Sequence, residues 1–273
     1  MLAELVSIPT DGASLDGLYY EPVPPARAAA QLFHGNGANF YGGPSRFLPP
    51  HLVGAGIACL AYNRRGHDTL TTRTRSPEGN AFQIYAEAIA DDDGAARFLS
   101  ERGHHSPVAI GHSNGGLLAA RHAADHPEVP ALVLLSAHCG GSEMLRRASA
   151  LGLIAGDRQD ELSRQAHSLV EEGRGDQLML LPGWWYVTSA RSFVELEKNV
   201  PVLLEAAAQI RCPVLYLRGD LEDPELYPAE HFAEVAAGPV DVRILPRCDH
   251  FYSGLEEEVG AMVCDWLAGA LGA

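Results

Sequence analysis

The chain has 273 residues, of which 47% are hydrophobic, and its formal net charge is −15. This length and apolar content suit one large domain with a substantial core. So acidic a surface would repel nucleic acid and anionic lipid, so we expect neither as a partner. A small-molecule substrate is the expected partner, and the sequence does not predict an oligomeric state.

The cysteines and the N-terminus indicate the compartment. The chain has five cysteines, an odd number, without a C-x-x-C pair: Cys59, Cys139, Cys212, Cys248 and Cys264. This pattern favours neither a disulfide framework nor a zinc site, and reduced thiols are typical of the cytoplasm. The N-terminus lacks the basic and apolar regions of a signal peptide. No stretch approaches the roughly 20 apolar residues of a membrane span. We therefore expect a cytoplasmic protein.

Short apolar strands alternate with helices in the first half of the chain. The predicted elements are a β-hairpin over 4–22, strands over 28–33 and 57–62, and helices over 44–55 and 81–102. Continuous apolar runs are typical of strands that are buried on both faces. Such strands with helices between them predict a parallel, doubly wound α/β sheet.

Two charged clusters in this half invite a functional interpretation. The adjacent Arg64 and Arg65 could bind a substrate carboxylate, although arginines in such loops more often pair with local acids. The run Asp91-Asp92-Asp93 lies inside a predicted helix, where consecutive side chains point in different directions and cannot converge on one metal ion. We expect this run to be a solvated acidic face.

The motif Gly111-His112-Ser113-Asn114-Gly115 lies between a strand-like run over 107–110 and a helix-like run over 116–121. A G-x-S-x-G sequence on a strand-to-helix turn is typical of a nucleophile elbow. The glycines allow a turn so tight that side chains would collide there. The backbone amide of Asn114 would begin the helix, where the dipole favours a developing negative charge. Ser113 is the predicted nucleophile.

The second half contains a long interruption of the strand pattern. Strands are predicted over 130–135, 213–217 and 240–245, with about seventy residues between the first two, which indicates an inserted module. Helices are predicted in the insertion over 142–153, 158–172 and 192–208. The predicted domains are a core of residues 1–137 and 212–273 and an insertion over 138–211.

Five segments together resemble one family. They are Leu32-Phe-His34-Gly35-Asn36-Gly37, Asn63-Arg64-Arg65-Gly66-His67, the elbow, Leu217 to Pro224, and Cys248-Asp249-His250-Phe251. On these segments the chain resembles the α/β-hydrolase superfamily over nearly its full length. The resemblance implies an α/β-hydrolase fold with a helical lid inserted at 138–211 and a serine nucleophile. It does not imply a substrate.

The same resemblance implies several site residues. The loop after the strand at 28–33 would donate the second oxyanion amide, from Asn36, while His34 is expected to pack and hydrogen-bond beneath it. His250, on the loop after the final strand, matches the base position, with His138 as a reserve candidate. The acid would lie in Arg218 to Pro224, where we favour Asp223, keep Glu222 as the alternative and expect Asp220 to cap the turn.

Aromatic residues near these positions predict a pocket for substrate. Trp184 and Trp185, beside a Pro-Gly turn in the insertion, could line an acyl or aryl pocket or only hold the lid to the core. Phe251, next to His250, is a further predicted binding residue. We favour the pocket.

The predicted reaction is the hydrolysis of a carboxylic ester of a small apolar or aromatic substrate through an acyl-enzyme, without a metal or organic cofactor. Thioesters, lactones and amides remain open. Two other classes also remain: a cofactor-free lyase, oxygenase or C–C bond hydrolase with the same triad, and a small-molecule receptor with a hydrolase pocket.

Overall fold

The computed structural model describes residues 3–23, 25–71, 75–183 and 186–272. Its strands are β1 (Ala3–Thr10), β2 (Ala13–Tyr20), β3 (Ala28–Phe33), β4 (Ile57–Tyr62), β5 (Val108–His112), β6 (Leu132–Leu135), β7 (Leu178–Leu180), β8 (Val187–Ser189), β9 (Val214–Gly219) and β10 (Val240–Leu245). In these residues eight strands form one sheet in the order β1-β2-β4-β3-β5-β6-β9-β10. The β1 and β2 strands are antiparallel to their neighbours, and the other pairs are parallel.

Helices cover both faces of the sheet. They are α1 (Pro44–Gly54), α2 (Tyr85–Glu101), α3 (Asn114–Asp125), α4 (Gly141–Ala150), α5 (Gln159–Glu171), α6 (Ala190–Lys198), α7 (Leu203–Ala207), α8 (Ala229–Val235) and α9 (Glu256–Ala270). Helices α1 and α9 pack on one face, and α2, α3, α7 and α8 pack on the other. Every residue of β4, β5, β6 and β9 is therefore buried, as their apolar sequences require. The predicted doubly wound α/β fold is confirmed.

The segment between β6 and β9 is more broken than its sequence pattern predicted. Its described residues include the α-helices α4 to α7 and the small hairpin of β7 and β8, which the periodicity did not reveal. The single helix expected over 192–208 is wrong, because α6 ends at Lys198 and α7 begins at Leu203. Pro201 lies between them, where its ring and missing N–H interrupt a helix. Side chains such as Leu162 and Phe193 join the same hydrophobic cluster as Leu117 of α3.

The acidic run in α2 is not a solvated face, as was expected. Asp91 and Asp92 are both buried, and only Asp93 is partly exposed. Asp91 accepts hydrogen bonds from the backbone and the guanidinium of Arg65, and Asp92 lies 3.6 Å from the fully buried Arg64. The two arginines therefore pair with acidic side chains of the protein itself. This is the second of the two roles considered for them, and it leaves neither free to bind a substrate carboxylate. Of the helices in the described ranges, none is long and apolar enough to cross a membrane.

The sheet positions the site. Strands β3, β5, β6, β9 and β10 run parallel, so their carboxyl ends meet along one edge of the sheet. The loops that follow them carry most of the predicted site residues. The carboxyl edge of a parallel sheet is where ligands bind in open α/β folds.

Candidate active site

Ser113 occupies the sharp turn between β5 and α3. Its backbone has φ 57° and ψ −123°, a conformation that L residues rarely adopt and that exposes the side chain at the tip of the turn. Bare backbone is required on both sides, because a Cβ on Gly111 would lie 2.2 Å from the carbonyl oxygen of Gly115, and a Cβ on Gly115 would meet the carbonyl oxygen of Phe33 at 2.1 Å. The turn therefore has the geometry of a nucleophile elbow.

Two backbone segments approach Ser113. A Cβ built on Gly35 would lie 3.2 Å from the Cβ of Ser113, so the loop after β3 passes directly beside the serine. Asn36 follows in that loop and lines the same cavity as Ser113. Asn114 is the first residue of α3, so its N–H has no partner within the helix. The two predicted oxyanion residues are thus neighbours of the serine, Asn114 as the next residue in the chain and Asn36 in the loop that passes beside it.

His250 is held by a glutamate and not by the expected aspartate. His250 Nδ1 lies 2.7 Å from Glu222 Oε1, and the side chain of Glu222 is 3% exposed. The expected contact between Asp223 and His250 is wrong for this structure. Asp223 turns away, accepts hydrogen bonds from the backbone amides of Glu225 and Leu226, and lies 3.3 Å from Arg147 of α4.

The second oxygen of Glu222 is also engaged. Oε2 accepts hydrogen bonds from the backbone N–H of Gly219 at 2.8 Å and from Ser136 Oγ at 2.6 Å. Ser136 Oγ is in turn 2.8 Å from the hydroxyl of Tyr252. Ser136 and Tyr252 both have positive φ, 48° and 59°, which is unusual for residues with side chains. Three donors therefore hold the carboxylate of Glu222 in place.

Sequence reasoning missed Ser136, Tyr252 and the role of His112. Ser136 directly follows β6 at the carboxyl edge of the sheet, a position that could have singled it out. His112 Nε2 lies 2.8 Å from the carbonyl oxygen of His250, so the residue before the nucleophile anchors the loop of the histidine. Burial, and then the charge of His250, lower the pKa of His112 to about 3, so it stays neutral.

A model of the alpha/beta hydrolase family matches residues 32–263, most of the chain and all of the site just described. The chain belongs to the alpha/beta hydrolase family. No curated protein sequence matches it.

Solved structures of two esterases and a dienelactone hydrolase superpose on nearly the whole chain. Est1E from Butyrivibrio proteoclasticus, solved with ferulic acid bound, has a TM-score of 0.74 and 18% identity and covers 98% of this chain and 100% of its own. A thermostable carboxyl esterase from Bacillus coagulans has a TM-score of 0.72 and 15% identity, with 99% of both chains covered. Dienelactone hydrolase from Anabaena variabilis has a TM-score of 0.63 and 18% identity, over 98% of this chain and 97% of its own. At these identities the likeness shows the fold.

In this family member, Ser113 and His250 open into one cavity of about 610 Å³. Two walls enclose it. The sheet wall consists of the loops after β3, β4, β5, β9 and β10, and His138 lies between the two walls. The inserted wall consists of lining residues between 144 and 187: Met144, Ala148, Leu153, Ile154, Tyr186 and Val187. Within the described ranges no hydrogen bond joins Ser113 Oγ to His250, and catalytic contacts are often long before substrate binds.

Of the three predicted substrate-binding residues, one lies in the described part of the chain and two do not. Phe251 lines the cavity, with its ring 5.2 Å from that of His250, and it is 60% exposed, which places it at the rim. Trp184 and Trp185 lie outside the described residues. Their neighbour Tyr186 lines the cavity and accepts a hydrogen bond from Asn80 at 2.7 Å.

His34 and the reserve candidate His138 both have hydrogen-bond partners. His34 is buried, its Nδ1 donates to the carbonyl oxygen of Gly35 and its Nε2 accepts from the backbone N–H of Arg64, so it supports the loop after β3 as expected. His138 lines the cavity, but its Nδ1 accepts the backbone N–H of Gly140 at 3.2 Å. With that lone pair occupied, His138 is a poor base.

One group of metal-ligating side chains lies away from the cavity, at the other end of α3. Asp93, His122 and His126 present one ligand atom each within 4.8 Å of one another. The Asp93 carboxylate oxygen lies 3.3 Å from His122 and 3.1 Å from His126. Burial raises the pKa of Asp93, but the neighbouring His122 and His126 outweigh that effect, so the pKa lies below its ordinary value.

Proposed function

We propose that the chain is a serine hydrolase that cleaves carboxylic esters through an acyl-enzyme on Ser113. The observation that carries the proposal is the combination of a strained serine at the elbow and a histidine in the same cavity, oriented by a buried glutamate 2.7 Å away. A nucleophile, a base and an orienting acid in this chain order are what the family uses for acyl transfer.

The contacts give each residue a role. Because His250 Nδ1 donates to Glu222, its Nε2 carries the lone pair and can accept the proton of Ser113 as the serine attacks a carbonyl carbon. Glu222 holds the ring in this tautomer and stabilises the imidazolium. The amides of Asn36 and Asn114 would bind the oxyanion. The protonated His250 then donates to the leaving alcohol, and water enters by the reverse route.

The walls of the cavity favour a small apolar or aromatic substrate. The inserted wall presents mostly aliphatic side chains, including Met144, Leu153 and Ile154, whose contact with an acyl or aryl group would supply binding energy. Esters are preferred over amides because an alkoxide leaves more easily than an amine. The solved esterases and the dienelactone hydrolase that share this fold support the same class, with thioesters and lactones as related substrates. We propose the segment 138–211 as the lid of this cavity.

A fluorophosphonate probe tests the nucleophile, and an ester library tests the reaction. We expect one phosphonylated residue, Ser113, identified by peptide mass spectrometry, and hydrolysis of p-nitrophenyl esters at an ordinary enzymatic rate of about 1 to 1000 per second. Ser163 on α5, which is remote from the cavity, is the matched control for Ser113→Ala. Labelling elsewhere would refute the assignment, and labelling without turnover of any ester would favour a receptor.

A further inference from the structure

His138 follows β6 and forms part of the cavity that Ser113 and His250 share. It is 5% exposed, and its Nδ1 lies 3.2 Å from the backbone nitrogen of Gly140. A backbone N–H can only donate, so Nδ1 must be the nitrogen with the lone pair. In a neutral imidazole the proton is then on Nε2.

The ring remains neutral at physiological pH. Burial, and then the charge of His250, lower the pKa of His138 to about 3. Nε2 is buried, and among the described residues it has no hydrogen-bond partner. A buried N–H without an acceptor is costly, and a ligand or water that satisfies it is one reason why a native structure keeps such a group.

The backbone around His138 is firmly held. The carbonyl oxygen of Ala137 accepts a hydrogen bond from the hydroxyl of Tyr216. On the other side, the N–H of Cys139 donates to the carbonyl oxygen of Leu226 at 2.8 Å. The carbonyl oxygen of Cys139 accepts a hydrogen bond from the N–H of Leu203 at 2.9 Å. The Nε2–H donor of His138 is therefore held in one position before a ligand binds, so its hydrogen bond would favour ligands with an acceptor at that position.

We propose that His138 Nε2–H is a binding subsite for a neutral oxygen acceptor in the acyl or alcohol part of the substrate. This inference rests on the proposed ester hydrolysis. The acceptor is a second carbonyl, an alkoxy or a hydroxyl oxygen, away from the bond that breaks. A carboxylate fits less well, because the neutral ring offers no charge and nearby lining residues such as Met144 and Ile154 are apolar.

An oxygen scan tests the subsite. In p-nitrophenyl hexanoate and in the hexyl ester of acetic acid, each remote CH₂ is replaced in turn by O or C=O. Values of kcat/KM are divided by the alkaline hydrolysis rates, which removes the effect of oxygen on intrinsic reactivity. We expect one position to gain roughly three- to tenfold over the all-carbon ester, the usual effect of one hydrogen bond.

Three substitutions assign the gain to Nε2. His138→Phe keeps the ring and removes both nitrogens, and should abolish the gain. His138→Asn can still accept the N–H of Gly140 but lacks a donor at the place of Nε2, so it should behave as His138→Phe does. His138→Gln can place its amide N–H near the position of Nε2 and should keep part of the gain. If His138→Phe and His138→Asn retain the preference, the inference is overturned.

Binding to Ser113→Ala separates this inference from the proposed function. Calorimetric titration of that variant with the best oxygen ester and its all-carbon parent should show the same three- to tenfold difference in Kd, and Ser113→Ala/His138→Phe should lose it. Equal affinities overturn the inference even if the wild type hydrolyses esters. Absence of fluorophosphonate labelling and of turnover overturns the proposed function alone.

Discussion

The two walls of the cavity are built by different physics. The sheet wall is tied together by hydrogen bonds between residues far apart in sequence, such as Glu222 to His250 and His112 to the carbonyl oxygen of His250. The inserted wall consists mainly of aliphatic side chains that are placed by packing, as for Met144 and Ala148 on α4. Hydrogen bonds fix direction to a fraction of an ångström, whereas apolar contacts tolerate exchange of similar volumes.

We expect the sheet wall to determine the rate of the reaction and the inserted wall to determine which substrates are preferred. Substitutions on the sheet wall should change kcat for every ester alike, because they act on groups whose positions matter at the transition state. Substitutions on the inserted wall should change the ranking of substrates, because they alter only the area that each substrate buries. The predictions below test that division.

Ser113→Ala should have the largest effect. Without the hydroxyl no acyl-enzyme can form, so kcat for every ester should fall by at least about 10⁴-fold. Turnover is measured by p-nitrophenol release, and mass spectrometry of trapped intermediates gives an independent reading. A variant that retains a tenth of the activity would place the nucleophile elsewhere.

Glu222→Gln should be the next most severe change. The amide cannot stabilise the His250 imidazolium, and we expect kcat to fall by roughly 10⁴-fold for short and long esters alike. Asp223→Asn is the matched control, because Asn can still accept the amide hydrogen bonds of Glu225 and Leu226. Its kcat should remain within about threefold of the wild type, and the reverse ranking would return the acid to Asp223.

The choice between these two neighbouring acids shows where sequence reasoning ends. Strand pattern and glycine spacing predicted the elbow, and the resemblance to the α/β-hydrolase superfamily implied the base position and the short stretch that holds the acid. The side chain that reaches His250 depends on the path of the loop, which is fixed by contacts distant in sequence. Ser136 donates a hydrogen bond to Glu222 within the site, whereas Asp223 lies beside Arg147 of α4. A local pattern contains neither contact.

The buried aspartates of α2 make the same point. Helical periodicity assigned Asp91 and Asp92 to solvent because charged residues usually lie there. They are buried because Arg64 and Arg65, at the end of β4, point at them. Arginines in such loops more often pair with local acids than bind substrate, so both halves of the interaction are visible in the sequence. Which arginine pairs with which aspartate depends on how the chain folds, and the sequence does not show it.

Ser136→Ala tests how far the sheet wall extends behind the reacting groups. Glu222 Oε2 accepts hydrogen bonds from Ser136 Oγ and from the N–H of Gly219. The substitution removes the first and leaves the second. We expect kcat to fall by about tenfold, equivalent to about 1.4 kcal/mol at the transition state, with little change in KM. Ser136→Cys, which keeps a weak donor and adds no β-branch at this positive φ, should recover part of the loss. Equal losses in both variants would indicate a packing defect.

Ile154→Ala tests the inserted wall. In the wild type, kcat/KM should rise roughly three- to fourfold with each CH₂ of the acyl chain until the pocket is full, at about 0.8 kcal/mol per group. The variant should flatten that rise and leave the acetyl ester nearly unaffected. Val170→Ala, an exposed aliphatic side chain on α5, is the control. Equal loss for acetyl and hexanoyl esters would contradict a selective role for this wall.

The smallest expected effect concerns pH and His138, which lies between the two walls. Burial lowers the pKa of His138 to about 3 in the folded protein, whereas a histidine in the unfolded chain titrates near its ordinary pKa of 6.5. Between these values the unfolded chain binds more protons, so acidification lowers the free energy of unfolding, and the contribution of His138 is fully present only above about pH 6.5. From pH 8 to pH 6 this single group should cost about 0.8 kcal/mol.

Urea unfolding of the wild type and of His138→Gln at both pH values measures this contribution. The wild type should lose about 0.8 kcal/mol more than the variant does between pH 8 and pH 6, because glutamine does not titrate. His231→Gln, at an exposed position on α8, is the control and should follow the wild type. If His138→Gln has the same pH dependence as the wild type, His138 is able to protonate in the folded protein, and the neutral donor assigned to Nε2 would have to be abandoned.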